Sequence, residues 1–196
     1  LFGARDVGFV VGIPIYFYAV LSDGTEAGNR ATFFLIGTFM AVWIILYGIA
    51  QANTPKLLRA TQRSASALVQ EARTWAFRLL IVPVALTIAV ILSPEPQLWL
   101  TVTLVIGLLA FGALFAVNSA LHSYLILDFT QSERVTMDVG FYYMANAGGR
   151  LLGTVLSGLS YQVGGLPLVL GTASAMVALS AVMAGQLKAS DVPAYQ

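Results

Sequence analysis

The segment Leu98–Ile126, LWLTVTLVIGLLAFGALFAVNSALHSYLI, decides the fold, because it contains no Asp, Glu, Lys or Arg. A helix needs about 20 consecutive apolar residues to cross the hydrocarbon core of a bilayer. This segment is longer than that, so we expect its helix to continue beyond the lipid. Its apolar surface is too large for one small protein core to bury, and we therefore predict a membrane-spanning helix here.

The same pattern extends along the whole chain. Hydrophobic residues make up 58% of the 196 residues and charged residues only 10%, whereas a typical globular protein has roughly 25% charged residues. We predict an all-α membrane domain over residues 1–196. Its six spans are predicted at residues 1–21, 31–52, 75–92, 98–126, 139–161 and 166–187. Fewer crossings with re-entrant segments are the alternative, although each apolar run is long enough to cross.

The connectors between these spans have the composition of turns and loops. Ser93-Pro94-Glu95-Pro96 predicts a tight stop between the third and fourth spans, and Gly164-Gly165 predicts a short hairpin between the fifth and sixth. The connector over residues 53–74 is the longest, and residues 64–73 within it could form a short interfacial helix. Spans one to three and four to six could be inverted three-helix units, as in many secondary transporters.

The basic residues predict the orientation, since cytoplasmic loops carry an excess of Lys and Arg. The side that holds both termini would contain Lys56, Arg59, Arg63, Arg73, Arg134 and Lys188, whereas the opposite side would contain Arg30 alone. We therefore expect both termini to be cytoplasmic, in a cell (inner) membrane.

Several classes of function are excluded by composition. The chain has no cysteine and one histidine, so it cannot form a zinc–thiolate site, a histidine cluster or a thiol nucleophile. A net charge of +1 does not suit a nucleic-acid-binding protein. Nucleotide-binding and hydrolase motifs are absent from the sequence. We expect neither enzymatic activity nor a cofactor or metal, and any transport would be driven by an ion or solute gradient.

Arg150 is the first candidate site residue, because a charge inside the bilayer costs at least ~2.5 kcal/mol. It lies midway along the span 139–161, about 17 Å from either end. Tyr142 and Asn146 precede it at intervals of four residues, and we expect all three on one helix face. Together these groups could hold an anionic solute. The alternative is an ion pair between Arg150 and an acidic residue of another helix.

Further candidates lie on the first and fourth spans. Arg5 could be a second anion contact, with Asp6 as a proton acceptor or gating partner, or the two could form a salt bridge at the mouth of a cavity. Asn118 and His122 are four residues apart and share a face. Asn118 could orient the solute. His122 could couple proton movement, although a structural, hydrogen-bonded histidine is the favoured alternative.

Several stretches resemble a known family: LFGARDVGFVV at residues 1–11, YGIAQANTPKLL at 47–58, MDVGFYYMANAGGRLLG at 137–153 and GLSYQ at 158–162. The six spans and the basic central connector resemble one half of a major facilitator superfamily transporter. The quoted stretches are similar to the C-terminal half of organoarsenical efflux permeases.

The resemblance implies a longer protein of twelve helices, in keeping with a chain that starts at Leu1 inside an apolar segment. It also implies alternating access and arsenate resistance through export of 1-arseno-3-phosphoglycerate. By superfamily architecture, Arg5, Asn118, His122, Asn146 and Arg150 would lie near the solute. The expected partners are the lipid bilayer, the anionic solute and the N-terminal six-helix half, but no nucleic acid.

Two other interpretations remain open. One is a drug or sugar exporter of the same superfamily. The other is a membrane scaffold subunit that transports nothing, which predicts that buried charges pair internally and that no polar cavity exists.

Overall fold

A computed structural model describes residues 2–5, 8–58, 64–93, 95–129 and 135–186, and every regular element in these ranges is helical. After a short N-terminal segment come the α-helices α1 (Ile13–Leu21), α2 (Glu26–Leu57), α3 (Ala65–Leu92), α4 (Leu98–Phe129) and α5 (Val135–Ala184). Four of them, α2 to α5, are long and apolar enough to cross a membrane. The expectation of an all-helical chain with membrane-spanning helices therefore holds for the described residues.

The N-terminal segment differs from the single helix expected over residues 1–21. It contains a 3-10 turn at Phe2–Ala4 and a π-helical stretch at Gly8–Gly12 before α1 begins at Ile13. Pro14 lies in the first turn of α1, where its missing N–H group would have no partner in any case. The break therefore comes before the proline, at the glycine-rich residues.

The glycines of this segment allow it to lie close to α5. A Cβ atom added to Gly8 would come within 2.8 Å of the Cβ of Ala173, and one on Gly149 would be 3.2 Å from the Cα of Gly3. Only residues without a Cβ permit such an approach. The irregular backbone thus occurs where the N-terminal segment contacts α5. Local periodicity in the sequence cannot reveal such a contact.

Side-chain caps fix the starts of α2 and α3. The hydroxyl of Thr25 accepts a hydrogen bond from the Gly28 N–H at 3.0 Å, and Ser64 accepts one from the Ala67 N–H at 3.3 Å. The interfacial helix expected at residues 64–73 is therefore the beginning of α3. As predicted, α3 ends before Ser93 and α4 begins at Leu98.

Helix α5 reverses direction within its length. Gly164 and Gly165 have non-helical backbone angles, and Gly165, with φ of 60° and ψ of −154°, occupies a region open essentially to glycine alone. The hydroxyl oxygens of Ser160 and Thr172 are 2.9 Å apart, whereas twelve residues of straight helix would span about 18 Å. The predicted turn at these glycines is confirmed, and it divides α5 into a first arm (135–163) and a second arm (166–184).

The core lies between α1, α3, α4 and the second arm of α5. Its fully buried members include Leu79, Leu104, Leu108, Phe111, Leu170 and Val177. Helix α2 packs at the periphery, where only Thr32, Trp43 and Thr54 are buried. The indole N–H of Trp43 donates to the Leu108 carbonyl at 2.7 Å and ties α2 to α4. Most other large side chains of α2 are exposed, as in a helix that faces lipid.

Candidate functional site: a buried arginine

Arg5 is the most unusual buried residue of the described chain. It follows the 3-10 turn, and its side chain has no exposed surface. Its guanidinium group lies 5.1 Å from the centre of the Phe115 ring and donates a hydrogen bond to the side-chain oxygen of Asn118. Enclosing a permanent cation in this way is expensive, so a buried arginine in a membrane protein marks a candidate functional site.

Asn118 holds its position through a second hydrogen bond. It is fully buried in α4, and its side-chain amide donates to the Ala72 carbonyl of α3 at 3.0 Å. Since the NH₂ end is committed to α3, the oxygen end must face Arg5. One carboxamide therefore joins α3, α4 and the N-terminal segment, and it fixes where the guanidinium lies.

His122 lies one turn after Asn118 on α4. Its Nδ1 atom is 2.8 Å from the Asn118 backbone carbonyl. A carbonyl oxygen can only accept, so Nδ1 must carry the proton of this hydrogen bond. The imidazole is also near enough to Arg5 for direct electrostatic interaction. The hydrogen bond from Nδ1 to the Asn118 carbonyl is thus the geometry observed for this histidine.

Helix α5 contributes Tyr142 and Asn146 to the same region. The Tyr142 hydroxyl interacts with Ser123 of α4 and lies within electrostatic reach of Arg5. Asn146 lies against the N-terminal segment, because a Cβ atom on Gly3 would come within 2.6 Å of its side-chain oxygen. The structure therefore gathers Arg5, Asn118, His122, Tyr142 and Asn146 from distant parts of the sequence.

Arg150 does not share the environment of the other two α5 residues. Its side chain is exposed, whereas Tyr142 and Asn146 are half-buried and the adjacent Gly149 is buried against Gly3. Each four-residue step exceeds one helical turn by about 40°, so Arg150 is rotated about 80° from Tyr142. The three residues still lie within about 80° of one another on one continuous helical arm, and a shared role for Arg150 stays a prediction. Asp6, the proposed gating partner, lies outside the described residues.

Two features of this region escaped the sequence analysis. Phe115 supplies the aromatic face below the guanidinium, and Ser123 contacts Tyr142. In the sequence, Phe115 is indistinguishable from the other core aromatics of α4. Ser123 is next to His122, and this adjacency is the only signal that could have pointed to it.

An open cleft of about 460 Å³ lies between the C-terminal parts of α2 and α4, beside the buried cluster. Gln51, Ser123 and Tyr124 supply its polar groups, and Gly48 and Ala120 leave room at its wall. Ser123 belongs both to this cleft and to the contact with Tyr142. Ser123 thus places the wall of this cleft next to the Tyr142 contact.

Together, the fold and the apolar helix surfaces define an all-helical membrane protein. Comparison with protein-family models, curated proteins and solved structures finds no match for this chain.

Proposed function

We propose that this protein is a secondary active efflux transporter for a small anionic solute, with Arg5 as the principal solute-binding cation. The observation that carries the proposal is the complete burial of Arg5 beside Asn118, within reach of His122 and Tyr142. In a low-dielectric setting, a fixed guanidinium attracts an oxyanion far more strongly than it would in water.

The chemistry of the cluster suits an oxyanion. A guanidinium has five N–H donors, and a phosphate- or arsenate-like group accepts two of them in parallel. Asn118 orients the guanidinium through one N–H group, and the Tyr142 hydroxyl would add a neutral donor. His122 would take up a proton as the anion leaves, which would couple export to proton movement.

The architecture we propose is one half of a major facilitator superfamily transporter. The N-terminal segment with α1, the helices α2 to α4 and the two arms of α5 would make six crossings, with both termini cytoplasmic in a cell (inner) membrane. This half would rock against an N-terminal six-helix half to give alternating access. The exposed Arg150 would then face the other half, and Asp6 would gate the cytoplasmic entrance.

The solute class we propose follows from the sequence resemblance and from the cation. A phosphorylated organoarsenical such as 1-arseno-3-phosphoglycerate carries oxyanions that fit a buried guanidinium. Its export would confer arsenate resistance. A drug or sugar exporter has less use for a buried permanent cation, since its solutes are mostly neutral or cationic.

Transport into everted membrane vesicles tests the proposal in the full chain. We expect Arg5→Gln to reduce uptake of a phosphoglycerate-like anion about 10- to 100-fold, because one charge-assisted contact is worth about 1.5–3 kcal/mol. Arg5→Lys keeps the charge but loses the planar donor pair, and we expect an intermediate rate. Arg150→Gln tests the second cation separately.

Arg78→Gln is the matched control, because Arg78 is exposed and lies 4.8 Å from the Trp75 ring. It should transport normally. Uptake by Arg5→Gln equal to that of the wild type, at equal protein per vesicle, would refute the role of Arg5. If no anion competes for uptake but drugs or sugars do, the exporter alternative is correct. If no solute crosses at all, the protein is a scaffold subunit whose buried cation is structural.

A further inference from the structure

A second candidate binding site lies on the lipid-facing side of the molecule. Helices α1 and α2 enclose an open groove of about 420 Å³, and its lining is almost wholly apolar. Pro14 and Tyr18 form one wall and Phe33, Gly37, Met40 and Ile44 the other. A Cβ atom on Gly37 would meet no other atom within 4 Å, so the floor of the groove is empty there.

A separate charged cleft lies at the start of α2, the helix that forms one wall of the groove. Glu26 and Arg30, one turn apart at the start of α2, line a cleft of about 550 Å³ together with Phe34. Both charged side chains are exposed. Phe34 lines this cleft and its neighbour Phe33 lines the groove, and the two rings are 6.0 Å apart, edge to face. An acid and a base therefore precede the groove by about one to two turns on the same helix.

The dimensions of the groove match one lipid chain. From Phe33 to Ile44 the helix rises about 16 Å, and one leaflet contributes about 15 Å of the 30 Å hydrocarbon core. The start of α2, with its two charges, falls where the headgroups would lie. The charges are about 5–6 Å apart along the helix, as for any residues separated by one turn.

We propose that this groove binds phosphatidylethanolamine, with one acyl chain between α1 and α2, the phosphate at Arg30 and the ammonium at Glu26. The guanidinium matches the phosphate oxygens. A primary ammonium donates hydrogen bonds to the Glu26 carboxylate, which the methylated ammonium of phosphatidylcholine cannot do. Phosphatidylglycerol has no cation for Glu26, so the paired charges select among headgroups. The site is independent of the solute site around Arg5.

Native mass spectrometry of the full chain in detergent, with each of the three phospholipids added at equal concentration, tests the proposal. We expect the wild type to retain one phosphatidylethanolamine in preference to the other two. Gly37→Leu fills the groove and should lower retention at least about 10-fold. Gly171→Leu is the matched control, because a Cβ atom at Gly171 also meets open space, and it should retain lipid as the wild type does.

The headgroup contacts are tested by separate variants. Arg30→Gln should weaken retention of all three phospholipids, whereas Glu26→Gln should abolish the preference for phosphatidylethanolamine over phosphatidylglycerol. Equal retention by the wild type and Gly37→Leu, or a wild type without headgroup preference, would overturn the proposal.

The absence of native cysteine allows one more test. Gly37→Cys should remain monomeric under oxidation in vesicles. Efficient disulfide-linked dimers would show that a second copy occupies the groove, and would also overturn the proposal.

Discussion

Replacing Asn118 with leucine separates the structural from the electrostatic role of the buried cluster. Leucine keeps a branched side chain of similar length but removes both hydrogen-bonding ends of the carboxamide. The contact with Arg5 and the 3.0 Å bond to the Ala72 carbonyl are lost together. We expect a folded protein that is clearly less stable, because a buried cation loses an acceptor.

The magnitude follows from the two bonds. A hydrogen bond to a charged group contributes about 1.5–3 kcal/mol, and neutral interhelical hydrogen bonds in membranes average about 0.6 kcal/mol. Asn118→Leu should therefore destabilise the protein by about 2–4 kcal/mol. Asn53→Ala is the matched control, since exposed Asn53 donates only to the Ile49 carbonyl of its own helix. This control substitution should lower the free energy of unfolding by about 0.5 kcal/mol or less.

The assay is reversible unfolding in mixed micelles, followed by circular dichroism, within a double-mutant cycle. Arg5→Met removes the cation, so Asn118→Leu should cost less in that background than in the wild type. We expect a coupling free energy of at least about 1.5 kcal/mol. Additive effects of the two substitutions would show that the contact between Arg5 and Asn118 does not stabilise the protein, which would refute this interpretation of the cluster.

Three further predictions concern other parts of the fold. Gly112→Ala should destabilise the folded protein by about 1–3 kcal/mol in thermal unfolding, because the added Cβ would come within 2.7 Å of the Trp43 indole nitrogen. The same loss of stability in a Trp43→Ala background would contradict this explanation. Gly165→Ala should lower the free energy of unfolding by about 1–3 kcal/mol, since φ at this position is 60°. Unaltered stability would mean that the turn does not have this backbone conformation. The pKa of Asp23 should lie below its ordinary value, because the Thr25 N–H and hydroxyl donate to its carboxylate at 2.9 and 2.8 Å. The charged form is then favoured in the folded protein, so the stabilisation is present above the ordinary pKa and is lost as pH falls through the folded pKa. A carboxyl titration by NMR measures the pKa of Asp23 in the wild type and in the Thr25→Ala variant. Equal pKa values in the two proteins would refute the hydrogen bonds from Thr25.

The candidate site was only partly predictable from the sequence. The cost of a charge inside a bilayer points to Arg5, helical spacing adds Asn118, Tyr142 and Asn146, and proton chemistry adds His122. The resemblance placed most of them near one solute, but local sequence patterns could not show the contact between Arg5 and Asn118, because these residues are 113 positions apart. Arg150 received the most weight from its central position, yet its side chain is exposed.

The sequence by itself determined that the chain is helical and apolar enough to cross a membrane, where α3 ends and α4 begins, and that the chain turns at Gly164-Gly165. These features follow from local rules: the length of an apolar run, the interruption of helices by proline and the backbone freedom of glycine. Only the tertiary structure decided the broken course of the N-terminal segment and the side of each helix that faces inward. A helix that is apolar all round gives no sign of its rotation. That rotation is set by packing between distant segments, which buries Arg5 and leaves Arg150 outside.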